Sequence, residues 1–401
     1  MSSLIANVKK SYEHTIYASY IGYITQAIVN NFAPLLFLTF VQDYGLSLEQ
    51  ITLITTINFA VQLTVDLVAT KTLDKVGYRR AVIFAHACAA IGLMGMAVLP
   101  MTLGNPYAGL LISVVFYAIG GGIIEVAISP MVEACPTEKK EAAMSLLHSF
   151  YCWGQVGVVL VSTIFFGVAG ISNWKILAFI WALVPLLNCF YFALVPIYSI
   201  VSEGERVPLR NLLKRKYFWL LMVVMFCAGA SEMSMSQWAS AFAEKGLQVS
   251  KTVGDLAGPC AFAALMGTAR AIYGKYSDRI PLKKMMIGSA ILCILCYLVT
   301  ALAPSPIIGL IGCAVCGFSV GIFWPGTYSV AAWNLPGAGT AMYALMALAG
   351  DLGCSGGPTL VGMVADACSG DLKKGILMAT IFPVVILMGI LLLKEKAKGA
   401  T

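Results

Sequence analysis

Residues 70–80 read TKTLDKVGYRR and residues 274–284 read GKYSDRIPLKK. Each stretch follows a long apolar run and combines one acid, several bases and a turn-forming glycine or proline. The two aspartates, Asp74 and Asp278, lie about half of the 401-residue chain apart. Because the same loop recurs at this interval, the sequence predicts a protein built as two similar halves.

The composition indicates that most of the chain is surrounded by lipid. Apolar residues make up 59% of the sequence and charged residues 11%, whereas a soluble domain carries about 25% charged residues. A chain in lipid must pair its backbone groups internally, so it crosses the membrane as helices or as a closed barrel. A helical span needs about 20 apolar residues, and the long, uniformly apolar runs of this sequence favour helices.

Twelve apolar runs are long enough to cross the membrane. They lie at roughly 15–40, 49–70, 81–103, 106–132, 143–169, 173–198, 217–241, 253–274, 284–303, 305–332, 339–364 and 375–393. The longest polar connector follows the sixth run. We therefore predict an all-α membrane protein whose twelve transmembrane helices form two pseudo-symmetric six-helix bundles, residues 1–200 and 217–401, joined by a cytoplasmic connector at 201–216.

The distribution of lysine and arginine predicts the orientation. Most of the 26 basic residues lie near the termini and in loops on the same side of the membrane, and short loops rich in these residues remain in the cytoplasm. We therefore expect a multi-pass protein of the cell membrane, with both termini cytoplasmic, that acts as a monomer in lipid. The net charge of +7 follows from this topology and does not indicate a nucleic-acid partner.

Acidic side chains inside apolar runs are the first functional candidates, because a charge at mid-bilayer costs about 2.5–3.5 kcal/mol on insertion scales. Glu125, Glu232 and Asp351 lie in the predicted fourth, seventh and eleventh spans, and we predict ion-coupling roles for them. Glu125 is favoured because residues 120–130 read GGGIIEVAISP. Its glycines allow close helix approach, and a desolvated carboxyl can bind and release a proton. A structural acid paired with Arg270 or a histidine is the alternative.

A solute site needs polar and aromatic side chains within the spans. Hydrogen-bonding groups would contact hydroxyls, and aromatic faces would contact the C–H surface of a sugar ring. The candidate substrate-binding residues are Asn30, Asn31, Asn58, Gln62, His148, Tyr151, Gln155, Gln237, Trp238, Trp324 and Tyr328. Hydrogen bonds between helices would satisfy some of these groups without any ligand.

The repeated loops also predict a conformational latch. A tight turn with an acid and several bases can bind the ends of neighbouring helices in one state and release them in another; the alternative is that the bases only anchor the loop in the cytoplasm. Asp66 and Arg270 occupy equivalent positions ahead of the two loops, so we predict an ion pair between the halves. The predicted latch residues are Asp66, Asp74, Arg79, Arg80, Arg270, Asp278 and Arg279.

The two loops resemble the signature G-x-x-x-D-R/K-x-G-x-R/K-R/K of the major facilitator superfamily. The first copy has Thr70 where glycine is usual, and the second has Pro281 in place of the second glycine. Residues 120–130 resemble the span-four motif G-x-G-x-x-E-x-A-x-x-P of its fucose/galactose/glucose:proton symporter branch. The resemblance extends to HSFYCWG at 148–154, GASE at 229–232 and IFWPGTYS at 322–329.

This resemblance implies roles for individual residues. Glu125 matches the proton-linked glutamate of the branch, and His148 takes the place of a sugar-contacting glutamine. Asn30 and Asn31 fall near the polar motif of span one. The second acid that the branch carries in span one is missing, with Pro34 near its expected position, so an acid of the second half could take that role or the coupling ion could be sodium.

Two function classes remain. One is secondary active uptake of a small polar solute by cation symport with alternating access, with a sugar and a proton favoured. The other is proton-coupled efflux of amphipathic compounds, which the density of polar groups in the spans disfavours. No G-x-x-x-x-G-K-S/T sequence occurs and the three histidines are scattered, so we expect no enzyme activity, cofactor or metal site. Cysteines in apolar runs, including Cys293, Cys296, Cys313 and Cys316, are interpreted as packing residues.

Overall fold

The computed structural model describes residues 8–198, 207, 209–247, 256–369 and 371–393. All regular secondary structure among these residues is helical, as the sequence predicts. The chain divides into two compact units, of which the first comprises Met1–Pro136 and Trp153–Ile200 and the second Thr137–Cys152 and Val201–Thr401.

The predicted domain boundaries differ from this division in one respect. Residues 137–152 belong to the second unit, whereas the sequence analysis assigns them to the bundle at 1–200. Residues 201–206 and 208 of the predicted connector at 201–216 lie outside the described residues. The bundle boundaries at 200 and 217 stay predictions.

The first unit contains six helices and part of a seventh. They are α1 Tyr12–Asn31, α2 Phe37–Tyr44, α3 Leu48–Val76, α4 Tyr78–Thr102, α5 Pro106–Ala134, the segment of α6 Lys140–Ala169 that begins at Trp153, and α7 Trp174–Leu194. Phe32, Phe40 and Trp174 are fully buried in its hydrophobic core, and the rings of Phe40 and Trp174 meet edge to face with centroids 5.4 Å apart.

The second unit contains the first part of α6 and ten further helical segments. They are α8 Leu209–Leu212, α9 Lys216–Leu247, a π-turn Leu256–Cys260, α10 Ala261–Tyr276, α11 Leu282–Leu302, α12 Pro306–Val320, α13 Phe323–Asn334, α14 Gly339–Ala367, α15 Leu372–Ala379 and α16 Ile381–Leu392. Helices α9 and α14 approach closely. A Cβ on Gly353 would overlap the backbone of Phe226, and a Cβ on Gly229 would overlap that of Gly350, so glycine permits this contact.

Within the described part of the chain, nine helices are long and apolar enough to cross a membrane. The other three predicted spans, 15–40, 253–274 and 339–364, coincide with α1 and α2, with α10, and with α14. The twelve-helix prediction is consistent with this arrangement. Large apolar side chains such as Ile164, Leu187 and Phe190 are exposed, as expected for surfaces that face lipid.

Four predicted spans are not the continuous α-helices that the sequence analysis expects, and one of them, the twelfth, is divided at Thr380 between α15 and α16. The first is interrupted after Asn31 by a 3₁₀ turn, Ala33–Leu36. The eighth starts with the π-turn that contains Pro259, and the tenth is divided between α12 and α13. Proline lies within three residues of each interruption. It disfavours a continuous α-helix because it lacks an N–H donor and its ring clashes with the preceding turn.

Gly77 forms the turn between α3 and α4 in the first repeated loop. Its N–H donates to the Leu73 carbonyl at 2.9 Å, and its own carbonyl accepts from the Ala81 N–H at 3.1 Å. Its φ of +87° lies in a region that side chains disfavour. The glycine of the loop pattern therefore has a backbone role, which is to end one helix and begin the next.

Candidate functional site

A chain of amide side chains ends on the Glu125 carboxylate in the first unit. Gln26 Nε2 donates to Glu125 Oε2 at 3.0 Å and to Gln62 Oε1 at 3.1 Å. Gln62 Nε2 donates to Asn30 Oδ1 at 2.9 Å, and Asn58 Nδ2 donates to the same oxygen at 3.3 Å. These five residues, which we name the amide chain, connect α1, α3 and α5.

Helix periodicity explains why these side chains meet. Gln26 and Asn30 are four residues apart on α1, and Asn58 and Gln62 are four residues apart on α3, so each pair lies on one helix face. Gln26, Asn58 and Gln62 are buried, whereas Asn30 and Glu125 are half-buried. The amide chain is therefore mostly buried, and it remains partly accessible at Glu125 and at Asn30.

Two acceptors of the amide chain have no hydrogen-bond partner among the described residues. They are Gln26 Oε1 and Asn58 Oδ1. A buried polar atom without a partner costs about 1–3 kcal/mol, so both oxygens favour a donor from water or from a bound molecule. Gly121 lies against one of them, since a Cβ at that position would come within 2.8 Å of Gln26 Oε1.

The remaining amide candidates of the first unit are not part of this chain. Asn31 donates to the Ala27 carbonyl of its own helix at 2.9 Å, and Gln155 is half-buried on α6. Gln26 was not predicted as a site residue. A signal was available, because Gln26 precedes Asn30 by one helical turn inside an apolar run.

Arg270 is the centre of the buried polar contacts in the second unit. Its Nη2 lies 3.5 Å from Glu232 Oε2 in an ion pair with little exposure. Its Nε donates to the Gly321 carbonyl at 2.8 Å, and its Nη1 lies 3.0 Å from the His148 carbonyl and 2.9 Å from Cys152 Sγ. Several hydrogen bonds and one carboxylate thus compensate a buried guanidinium.

These contacts bear on two sequence hypotheses. In the first unit Gln26 donates to the Glu125 carboxylate. The alternative that Glu125 pairs with Arg270 involves both units and stays a prediction. Asp66 is buried on α3 in the first unit. The hypothesis that Asp66 and Arg270 form an ion pair involves both units and stays a prediction.

An aromatic cluster forms in the second unit around Tyr328. Its ring centroid lies 5.8 Å from that of His148 and 5.2 Å from that of Tyr343. All three side chains are buried. Tyr343 was not predicted as a site residue, because its position on α14 carries no polar signal distinct from that of other aromatic residues.

The other candidates of the second unit differ in burial, and two have side chains outside the described residues. Trp324 is nearly buried and its indole contacts Gly350. Tyr151 and Asp351 are half-buried. The side chains of Gln237 and Trp238 lie outside the described residues.

The predicted latch residues are placed in different environments. Arg79 Nη1 donates to the carbonyls of Phe192 and Ala193 at 3.0 Å each, at the C-terminal end of α7. Asp74 and Arg80 are exposed in the same unit. The latch function itself stays a prediction.

In the second unit the corresponding loop lies against the start of α6. Asp278 forms an ion pair with Lys139 at 2.5 Å, with both side chains more than half exposed, while Arg279 is exposed. Further along the same helices, the Tyr273 hydroxyl donates to Glu141 Oε2 at 2.8 Å. The exposed pair of Lys139 and Asp278 contributes about 0–1 kcal/mol, so it is easily broken.

Comparisons with known proteins agree with this architecture. Residues 19–358 match the Major Facilitator Superfamily. The E. coli fucose:proton symporter FucP has a similar structure, with a TM-score of 0.77, 16% sequence identity, and 95% of this chain and 98% of that chain covered. No curated protein sequence matches the chain significantly.

Two other solved structures are similar over nearly their whole length. The proton:xylose symporter XylE bound to 6-bromo-6-deoxy-D-glucose has a TM-score of 0.82 and 12% identity, with 95% of this chain and 96% of that chain covered. The human organic anion transporter MFSD10 has a TM-score of 0.70 and 14% identity, with 95% and 100% covered. At these identities the likeness establishes the fold.

The apolar helices and the match to membrane transporters of known structure define a multi-pass, α-helical membrane protein. The chain belongs to the Major Facilitator Superfamily, because the family match extends over most of its length. It is therefore a transporter of small molecules and not an enzyme. The resemblance of the two loops to this superfamily is confirmed.

Proposed function

We propose that this transporter takes up a small, hydroxyl-rich solute of the sugar class in symport with protons. The observation that carries the proposal is the amide chain, in which four amides lead to one half-buried carboxylate. Amides bind hydroxyl groups as donors and as acceptors. A carboxylate that remains accessible can exchange a proton with water.

The unpartnered acceptors favour a solute that donates hydrogen bonds. Gln26 Oε1 and Asn58 Oδ1 have no donor among the described residues, and sugar hydroxyls are donors. Efflux of an amphipathic compound would leave these oxygens without partners at a cost of about 1–3 kcal/mol each. In the second unit, the rings of Trp324 and Tyr328 are proposed to contact the apolar face of the solute.

Glu125 is proposed as the proton-coupling residue. It accepts a hydrogen bond from Gln26, whose buried amide also contacts Gln62. A change in the protonation of Glu125 therefore alters the hydrogen bonding of amides that would bind the solute. This connection supports obligatory coupling, because solute and proton act on the same set of side chains. Glu232 and Asp351 are proposed as further coupling acids of the second unit.

Similar structures support the proposal only at the level of the fold. FucP and XylE are described as proton symporters of fucose and xylose, whereas MFSD10 is described as an organic anion transporter. The fold is thus compatible with different solutes, and the choice of a sugar depends on the amide chain. We also propose that the protein acts as a monomer in the cell membrane with both termini in the cytoplasm.

Counterflow in proteoliposomes tests this function. The purified protein is assayed against a panel of sugars and polyols, with uptake driven by a pH gradient in parallel. We expect at least one sugar to exchange, and Glu125→Gln to lose pH-driven accumulation while it retains exchange. Asp43→Asn, which removes an exposed carboxylate of the same unit, is the matched control and should behave as the unmodified protein.

The outcome can also contradict the proposal. Accumulation that is driven by a sodium gradient and does not depend on pH would show that the coupling ion is sodium and not the proton. Movement of cationic amphiphiles with all sugars inert would support efflux. Unchanged pH-driven accumulation in Glu125→Gln would remove Glu125 from the coupling mechanism.

A further inference from the structure

Four buried cysteines of the second unit lie on two neighbouring helices. Helix α11 carries Cys293 and Cys296, and α12 carries Cys313 and Cys316. Each pair has the spacing C-x-x-C, which places both thiols on the same side of the helix. All four cysteines are free and no more than 5% exposed.

The sulfur atoms come within contact distance across the helices. Cys293 Sγ and Cys316 Sγ are 3.9 Å apart. Cys313 Sγ lies 3.3 Å from the thioether sulfur of Met235, which is on α9. We name Met235, Cys293, Cys313 and Cys316 the sulfur cluster; its members come from three helices of one unit.

The geometry distinguishes between classes of metal ion. Structural zinc is held by four ligands in a tetrahedron, and within the described ranges no three His, Cys, Asp or Glu side chains converge on one metal position. A tetrahedral zinc site is therefore not formed. Soft monovalent ions prefer thiolate and thioether ligands and accept two of them, which the close sulfur pairs can supply.

The net charge of the complex also favours a monovalent ion. A bound ion inside an apolar bundle is stable when the complex carries no net charge, since an uncompensated charge costs several kcal/mol. One monovalent ion, one cysteine thiolate and one neutral sulfur donor together are neutral. Binding breaks one S–H bond, forms a metal–sulfur bond and releases the proton to solvent.

We propose that one pair of the sulfur cluster, Cys293 and Cys316, binds a soft monovalent metal ion, Cu(I). This inference replaces the interpretation of these cysteines as packing residues, and it does not depend on the proposed transport function. The bound ion would connect α11 and α12. Because binding stabilises only the folded protein, it raises the melting temperature.

Anaerobic titration of the full-length, freshly reduced protein in detergent tests the proposal. Cu(I) is supplied in competition with a chromophoric chelator, and Ag(I) serves as a redox-inert probe in thermal melts. We expect a single equivalent of Cu(I) to bind and Ag(I) to raise the melting temperature.

A pair of double variants separates the sulfur cluster from other cysteines. Cys293→Ala/Cys316→Ala should lose both the tight binding of one Cu(I) equivalent and the rise in melting temperature caused by Ag(I). Cys88→Ala/Cys227→Ala removes two buried cysteines outside the cluster and should bind as the unmodified protein. The melting temperature without metal shows that each variant is folded.

Three results would overturn the proposal. The unmodified protein could fail to bind one equivalent of Cu(I) tightly. Alternatively, Cys293→Ala/Cys316→Ala could bind Cu(I) as well as Cys88→Ala/Cys227→Ala does. Mass spectrometry could also detect a disulfide between Cys293 and Cys316 in protein purified without oxidant, which would assign the close sulfur contact to a redox pair.

Discussion

Gln26 Nε2 lies 3.0 Å from Glu125 Oε2 and 3.1 Å from Gln62 Oε1. The nitrogen carries two hydrogens, so it can donate to both oxygens at once. Helix α1 thus places a neutral amide, and not a second acid, beside the proposed coupling carboxylate. In the first unit the proposed mechanism therefore depends on Glu125 together with the amides that contact it.

Removal of this amide should uncouple transport. Gln26→Ala deletes a hydrogen bond to an ionisable group, which is worth about 1.5–3 kcal/mol. We expect the initial rate of pH-driven uptake to fall by about tenfold or more, as this energy implies. Gln42→Ala, at an exposed position of the same unit, is the control. Equal rates for the two variants would contradict a positioning role for Gln26.

Gly121 should be required for the orientation of Gln26. A Cβ at position 121 would come within 2.8 Å of Gln26 Oε1, whereas a Cβ at Gly157 would meet no atom within 4 Å. Gly121→Ala should therefore reduce uptake by displacing the amide. Gly157→Ala should leave uptake unchanged and stabilise its helix by up to about 1 kcal/mol.

Both variants are measured for uptake in proteoliposomes and for thermal stability in detergent. Gly121→Ala is expected to fold, because the contact is with the end of a flexible side chain. The prediction fails if Gly121→Ala transports as well as Gly157→Ala.

Features that depend on composition and local pattern could be predicted from the sequence. Lipid exposure follows from the apolar runs, and the repeated halves follow from the two loops. Four of the five members of the amide chain were predicted because they are polar groups inside apolar spans. Their meeting on one face follows from helical spacing, which is visible for Asn58 and Gln62.

Features that depend on packing between helices could not be predicted. The rotation of α1 relative to α5 places Gln26 beside Glu125, and no local sequence pattern specifies that rotation. The same holds for Arg270, whose partner in the second unit is Glu232. Sequence symmetry suggested Asp66 as a partner of Arg270, and that pairing, which involves both units, stays a prediction.

The pair of Glu232 and Arg270 should show strong coupling in stability. Loss of one partner leaves a buried charge uncompensated, which costs about 3–5 kcal/mol. We expect Glu232→Gln and Arg270→Met each to lower the melting temperature markedly, and the double variant to recover much of the loss. Thermal melts in detergent give the three values, and additive losses would show that the ion pair has no special role.

Arg79 and Arg80 offer a test of the first repeated loop at adjacent positions. Arg79 donates to two carbonyls at the C-terminal end of α7, where a cation also interacts favourably with the helix dipole, whereas Arg80 is exposed. Because Arg79 is only half-buried, we expect Arg79→Ala to cost about 1–2 kcal/mol, with a lower melting temperature in detergent. Arg80→Ala removes the same charge without these contacts and should change stability by less than about 0.5 kcal/mol. If both variants have the same melting temperature, the loop acts through its net charge. The alternative that its bases only anchor it in the cytoplasm is then favoured.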